Sequence, residues 1–322
     1  MQPASPIGQR PTHMLLSKQG VTIAALAQTL LERVPGERIE PIQDQAIRLN
    51  ASVGTIQAAL DSIQELGAAT IEARGRLGSF VVQLNYPQLW KLGQQRAVIG
   101  ALPLPYARRI EGLATGLREQ IGEQLDLNLR FLRGAARRMQ ALSSHECDWA
   151  LVSRFAAQTA AAHGFQIELV ALLGPETYMA SQVLITRGSD PQTPGDDGLR
   201  DGMRVGVDSQ SGDHLFLVRS VTRGRRVTFV EIEYSQGLHL LHSGAIDATI
   251  WSAEAIPPTL GSLHMVPIGE QREPAIAALG EAALIVASAD RATANLLGAI
   301  HHREALVQLQ HEVVSGQRRP GY

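Results

Sequence analysis

Between residues 21 and 34 the run VTIAALAQTLLERV places apolar residues at helical spacing, and Pro35-Gly36 closes it. A second short helix is predicted over 42–49. Asn50-Ala51-Ser52 interrupts the pattern, and Ser52 is a suitable N-cap for a third helix that runs to about Leu66 and stops at Gly67. Val53, Ile56, Leu60 and Ile63 recur at intervals of three and four, which predicts one buried face. Residues 69–72 and 79–84 then read as short strands around Arg74-Gly75-Arg76-Leu77-Gly78. Three small helices followed by a hairpin predict a winged helix-turn-helix over 14–84. Residues 1–13 carry three prolines and no periodic apolar pattern, so a flexible arm is expected there.

Residues 85–95 read as a connector, with Pro87 discouraging a continuous strand. Beyond Arg96 strand and helix patterns alternate. Strands are predicted at 97–101, 128–132, 148–153, 168–172, 183–186, 203–208, 227–233, 248–252, 264–268 and 282–287. Helical patterns such as 106–123 and 238–243 separate most of them. This predicts an α/β fold of mainly parallel sheets flanked by helices over 96–322. The loop signal GSDPQTPGDDGLRDG at 188–202 is expected to cross between two lobes, the second spanning about 188–280. An internal echo supports duplicated topology. Residues 139–153 (MQALSSHECDWALVS) and 238–252 (LHLLHSGAIDATIWS) each combine an amphipathic helix, a turn, an Asp, an apolar strand and a terminal Ser.

Composition adds exclusions. The 322 residues are 44% hydrophobic and 19% charged, enough apolar surface to offset the entropy of ordering. No apolar run approaches the ~20 residues of a membrane helix. One cysteine, Cys147, excludes a disulfide framework and a cysteine zinc cluster. The start, MQPASPIGQRPTH, has no secretory apolar region, so a cytoplasmic location is expected. A net charge of −2 excludes a global polycation. Within 1–84, Arg10, Lys18, Arg33, Arg38, Arg48, Arg74 and Arg76 are balanced by Glu32, Glu37, Glu40, Asp44, Asp61, Glu65 and Glu72. A lone copy should therefore bind phosphate backbones weakly.

Two places could carry chemistry. In a helix-turn-helix the recognition helix reads base edges. Here Thr55 and Gln57 are the candidate readers, and Arg74 and Arg76 at the hairpin tip the candidate phosphate or minor-groove contacts. The alternative for the arginines is a solvated turn. In the α/β region ligands are expected where strands end. Tyr106 and Arg108 follow the first strand, Arg133-Gly134 the second, Ser153 and Arg154 the third, and Ser209 and Ser211 the sixth. Gly134 is expected to let a ligand approach the backbone. Arg133 and Ser209 are both expected to face the crevice. Tyr178 and Trp251 complete the candidate set, with core packing the alternative for Trp251 and an ion pair for Arg133 and Arg154. Asp148 and Asp247 are expected to cap the turn before a buried strand. Enzyme signals are poor: no GxSxG, P-loop or HExxH occurs, and the ten histidines lack metal-ligand spacing. Cys147 is expected to be a small buried residue.

The N-terminal region resembles the GntR-type winged helix, through Ser52-Val53-Gly54-Thr55-Ile56-Gln57-Ala58-Ala59-Leu60 and Arg74-Gly75-Arg76-Leu77-Gly78-Ser79-Phe80-Val81. It departs from that pattern in lacking the arginines usual at the positions of Val53 and Gln57 and near Gln43. The α/β region resembles the type 2 periplasmic-binding fold. Taken together, residues 14–322 are similar to the YhfZ family, through Pro103-Leu104-Pro105-Tyr106, Glu111-Gly112-Leu113-Ala114, Arg133-Gly134-Ala135, Val152-Ser153-Arg154, Gly174-Pro175-Glu176-Thr177-Tyr178 and Val314-Ser315-Gly316. The resemblance implies a winged helix joined to a binding-protein-like domain and a regulatory role.

The expected function is a ligand-responsive transcriptional regulator that senses a small anionic metabolite and binds DNA as a homodimer, with no cofactor, metal or membrane partner. A second reading is a small-molecule sensor whose winged helix serves dimerisation or protein contact. A third, ranked last, is an enzyme using Tyr106, Asp208 or Asp213; the protein is expected not to be an enzyme.

Overall fold

The computed structural model describes residues 17–187, 197–256, 263–270, 273–300 and 302–322. The flexible-arm expectation for 1–13 and residues 188–196 of the expected crossover lie outside them. The chain divides into two compact units, Met1–Arg96 and Ala97–Tyr322.

In the first unit α1 (Lys18–Leu31), α2 (Ile42–Arg48) and α3 (Val53–Glu65) precede an antiparallel hairpin of β1 (Ala69–Ala73) and β2 (Ser79–Leu84). Ser52 caps α3 as expected, its Oγ accepting from the Thr55 amide at 3.1 Å. Ile56, Leu60 and Ile63 are buried on a helix that packs against α1. Val53, the first residue of α3, is not: it is 49% exposed. The expected connector also differs. It forms α4 (Tyr86–Gly93), which buries Leu89 and Trp90. Asn85 caps it by accepting from Gln88 N at 3.1 Å, and Pro87 sits in the first turn, where its missing N–H is harmless.

The second unit holds two five-stranded sheets. In the first lobe β3 (Val98–Leu102), α5 (Arg108–Gly122), β4 (Leu127–Phe131), α6 (Ala135–Ser143), β5 (Trp149–Ser153), α7 (Arg154–Thr159) and β6 (Ile167–Leu172) follow in order. The chain then crosses to the second lobe: β7 (Gln182–Arg187), β8 (Arg204–Val207), α8 (Gly212–Val221), β9 (Thr228–Glu231), α9 (Gly237–Ser243), β10 (Ala248–Ser252) and β11 (Leu263–Ile268). After α10 (Ile276–Gly280) it returns as β12 (Ala282–Ala287), followed by α11 (Arg291–Ile300) and α12 (Arg303–Val314).

The strand orders are β4-β3-β5-β12-β6 and β9-β8-β10-β7-β11. In each, four strands share one direction and a single strand, β12 in the first sheet and β7 in the second, runs antiparallel between two of them, so the lobes share one mixed topology. The crossover lies earlier than the loop signal suggested, because β7 already belongs to the second sheet.

The duplicated motif has one physical purpose. Asp148 donates its backbone N–H to Ile99 O and accepts from Ile99 N on Oδ2, both at 2.8 Å. Asp247 does the same to Arg204, at 2.7 and 2.8 Å. Each aspartate thus stitches the third parallel strand of its lobe to the first. Asp247 additionally holds the Arg204 guanidinium at 2.7 Å, which keeps the carboxyl below its usual range. On the outer side of the first lobe Gly112 on α5 lies against Gln310 of α12, where an added Cβ would approach within 2.8 Å of backbone. That close packing lets Gln310 Nε2 donate to the carbonyls of Arg109 and Thr177, fixing the start of α5.

Candidate functional site

The parallel strands of both lobes end at one crevice, as this topology requires. A cavity of about 170 Å³ lies there. Pro103, Leu104, Ile110, Met179, Leu217 and the Tyr234 ring form apolar walls. Its charged lining consists of three arginines, Arg109, Arg133 and Arg138, and three acids, Asp208, Asp213 and Glu254.

Two of those pairs bridge the lobes. Arg133, after β4, places Nη2 2.9 Å from Asp208 Oδ1 after β8, and Nη1 3.4 Å from Glu233. The hydrogen bond to Asp208 raises the guanidinium pKa further. Asp208 is buried and also accepts from the backbone N–H groups of Gln210 and Tyr234, each at 3.0 Å. Arg109, at the start of α5, grips Glu254 with two hydrogen bonds of 2.9 and 2.5 Å and donates to Glu176 O at 2.6 Å. The loops themselves touch. Gly134 sits at φ +79°, and a Cβ there would lie 2.3 Å from Gln210 O. The opposite lobe thus meets the Gly134 backbone directly, and Gly134 also lines the cavity.

The remaining two charges are not paired with each other. Arg138, on α6, is 1% exposed. Its Nη1 donates to Leu132 O at 2.7 Å and its Nη2 to Tyr178 Oη at 2.9 Å. Its Nε is buried with no partner among the described residues. Asp213, in the first turn of α8, accepts from Ser153 Oγ at 3.0 Å across the lobes. The residue as a whole is half-buried, but its carboxyl is packed among protein atoms. Burial pushes that carboxyl up to about 6, against the opposing pull of the Ser153 hydrogen bond and the Arg138 charge.

The lining aromatic side chains are held firmly. Tyr234 stacks on Trp251 with ring centroids 4.2 Å apart and planes 5° apart, and its Oη accepts from Ser252 N. Burial pushes its phenol up to about 12. His214 accepts from Asp208 N on Nδ1, so the proton sits on Nε2, facing Ile250 O at 3.2 Å. Burial lowers its pKa.

Of the nine residues expected to bind ligand, Tyr106, Arg133, Tyr178 and Ser211 line the cavity. Ser153 lies one hydrogen bond behind it, through Asp213. Four are not brought there. Arg108 is exposed and donates to Val313 O at 3.2 Å; its neighbour Arg109 lines the cavity instead. Arg154 pairs with Glu281 at 3.0 Å within its own lobe. Ser209 donates to Glu231 at 2.7 Å and lines a separate groove, so the expectation that it faces the crevice with Arg133 fails. Trp251 is 8% exposed and packs in the second-lobe core. Arg138, Arg109, Tyr234 and Gln182 were missed. Cys147 is buried as expected, and burial pushes its thiol up to about 12, which makes it a poor nucleophile.

In the winged helix, Gln57 is exposed and donates to Asp61 at 3.0 Å. Thr55 shares a 2.8 Å hydrogen bond with Ser52 at the helix cap. Arg74 pairs with Glu72 at 2.8 Å and lies 4.9 Å from the Phe80 ring centroid. Arg76 is exposed, with no hydrogen bond or ion pair among the described residues. Among the described residues no His, Cys, Asp or Glu cluster could hold a metal, and no helix is long and apolar enough to cross a membrane.

Comparison with known proteins gives the following. The family described as the YhfZ C-terminal domain matches residues 85–322, and a helix-turn-helix domain matches 35–81. The chain is 33% identical to the YhfZ protein of Escherichia coli (strain K12) over 309 residues, covering 95% of this chain and 98% of that one. The crystal structure of YhfZ from Shigella flexneri aligns with a TM-score of 0.58 at 31% identity, over 70% of this chain and 93% of that one. The periplasmic aliphatic sulphonate binding protein SsuA from Escherichia coli aligns with a TM-score of 0.50 at 15% identity, over 69% and 75% of the two chains. The second unit therefore has the periplasmic-binding-protein fold, with a helix-turn-helix domain preceding it.

Proposed function

The chain belongs to the YhfZ family, and from that membership we propose that it is a cytoplasmic, ligand-responsive transcriptional regulator. The inter-lobe cavity binds a small metabolite through an anionic group, and the winged helix binds operator DNA as part of a homodimer. The observation that carries the reading is Arg138. A buried guanidinium lines the cavity with a polar nitrogen unsatisfied and no carboxylate in ion-pair contact among the described residues. Such a group is costly to bury unless an anion completes it. The ligand stabilises the closed arrangement of the lobes only to the extent that it binds that arrangement better than the open one. In the dimer this closure changes the spacing of two DNA-reading heads, and the second head doubles the phosphate contacts.

The test is titration of the full-length protein against labelled DNA from its own promoter at two salt concentrations. A sequence-preferring shift that weakens with salt is expected. Its absence removes the DNA half of the reading.

A second reading has specific support. The Gln57 carboxamide is tied to Asp61 and the Arg74 guanidinium to Glu72, so two of the four candidate DNA contacts are held by acids. In that case the head serves dimerisation or protein contact, and ligand binding occurs with no DNA shift.

A further inference from the structure

The charges around the cavity can be sorted into satisfied and unsatisfied ones. Arg133 is held by Asp208, and Arg109 by Glu254, each across the lobe boundary. These four charges cancel in pairs, and Asp208, Arg109 and Arg133 each have further partners, in the Gln210 and Tyr234 amides, the Glu176 carbonyl and Glu233. One cation and one anion remain. Arg138 comes from the first lobe and Asp213 from the second, both line the same cavity, and they are not in ion-pair contact.

Each has part of its coordination supplied. Arg138 is oriented by Leu132 O and Tyr178 Oη and leaves Nε unmatched. Asp213 receives the Ser153 hydroxyl on Oδ1, and no other side-chain hydrogen bond reaches its carboxyl among the described residues. A purely anionic ligand would satisfy Arg138 but would place like charge in a cavity that already holds an unpaired carboxylate. A ligand bearing a carboxylate and an ammonium group matches both ends. Among the described residues no third unpaired charge lines the cavity, and the remaining walls are apolar or neutral.

We infer that the ligand is a small zwitterion of the amino-acid class with an uncharged side group, its carboxylate on Arg138 and its ammonium on Asp213. This rests on the sensing reading above and names the ligand class for that same cavity. Binding such a ligand satisfies one charge from each lobe, so closure and recognition become one event. The raised pKa of Asp213 agrees, because a carboxyl already neutralised by a nearby cation would not be pushed up by burial.

The experiment is calorimetric and thermal-shift titration of the full-length protein. Its probes are the uncharged amino acids of both configurations, the matching 2-hydroxy acids, the matching amines without the carboxylate, and sulfate and succinate. At least one amino acid is expected to bind, with its hydroxy acid and its amine weaker by about 30-fold or more, the usual loss when one buried charge goes unpaired. Asp213→Asn is expected to weaken the amino acid by a similar factor and to erase its advantage over the hydroxy acid. Because Asn is nearly isosteric, this variant should fold, and thermal unfolding checks that it does. A hydroxy acid that binds as tightly as its amino acid, or an Asp213→Asn protein that keeps the discrimination, overturns the inference. Binding by sulfate or succinate with no amino acid bound also overturns it, while leaving the anion-sensing reading standing. Silence from every probe overturns both.

Discussion

Arg133 reaches across the lobe boundary to place its guanidinium 2.9 Å from Asp208, a carboxylate that is itself almost fully buried. Arg133→Ala should therefore cost more than a surface pair would. Among the described residues it leaves the buried carboxylate held by the Gln210 and Tyr234 amides. Roughly 1–3 kcal/mol of stability should be lost, the usual range for stranding a buried polar group. The lobes should also open more readily, visible as a larger radius of gyration by small-angle scattering. Unchanged unfolding and unchanged scattering would show that the latch contributes nothing in solution.

Gly134 makes a separate prediction about closure. Its positive φ is poorly tolerated by other residues, and a methyl group there would collide with the Gln210 carbonyl of the opposite lobe. Gly134→Ala should disfavour the closed arrangement by about 1–3 kcal/mol. Since the contact exists only when the lobes meet, the variant should show a larger loss in ligand affinity than in unfolding stability. Equal losses in both would mean the strain is local and unconnected with closure.

Asp213 gives a pH signature. Its pKa is raised from an ordinary 3.8 to about 6 by burial. A group raised on folding favours the folded state while protonated, and that advantage is lost as pH climbs through the folded value. The contribution is thus fully present below about pH 4 and gone above about pH 6. At pH 7.5 the ionised, buried carboxylate should cost on the order of 1–3 kcal/mol. Asp213→Asn should accordingly stabilise the ligand-free protein at pH 7.5 and make little difference at pH 4, by urea or thermal unfolding. A stability gap between the two proteins that does not depend on pH would contradict this assignment of the proton.

The sequence carried the fold further than it carried the site, and particular residues show why. Ser52 announces its helix by local chemistry alone, and the Asp148 and Asp247 motifs are legible because each stitches strands within its own lobe. The cavity residues depend on which way a helix is turned. Adjacent helical residues point about 100° apart, so Arg108 and Arg109 exchange roles on a rotation the pattern cannot fix. Arg137 and Arg138 differ in the same way: the first is exposed and pairs with Glu146 at 2.8 Å, while the second is buried. The buried one is met by the Leu132 carbonyl and the Tyr178 hydroxyl. Trp251 was ambiguous for another reason. Every residue of β10 is buried, so no alternation marks a face.

The last prediction concerns the wing and the recognition helix, where the two functional readings part. If the head binds DNA, exposed Arg76 contributes a phosphate contact, and Arg76→Ala should weaken binding alike on specific and non-specific sequences. The slope of log affinity against log salt should become shallower by about 0.9, the value for one phosphate contact. Asp61→Ala should have the opposite effect. It removes an acidic charge from the helix that faces DNA and releases the Gln57 carboxamide from its 3.0 Å hydrogen bond. The freed amide can then donate to and accept from an adenine edge, so affinity should rise, and more for the promoter than for random DNA. Filter binding of both variants over a salt series measures each effect. A protein-contact head would leave both slopes flat, because neither side chain would meet a phosphate or a base.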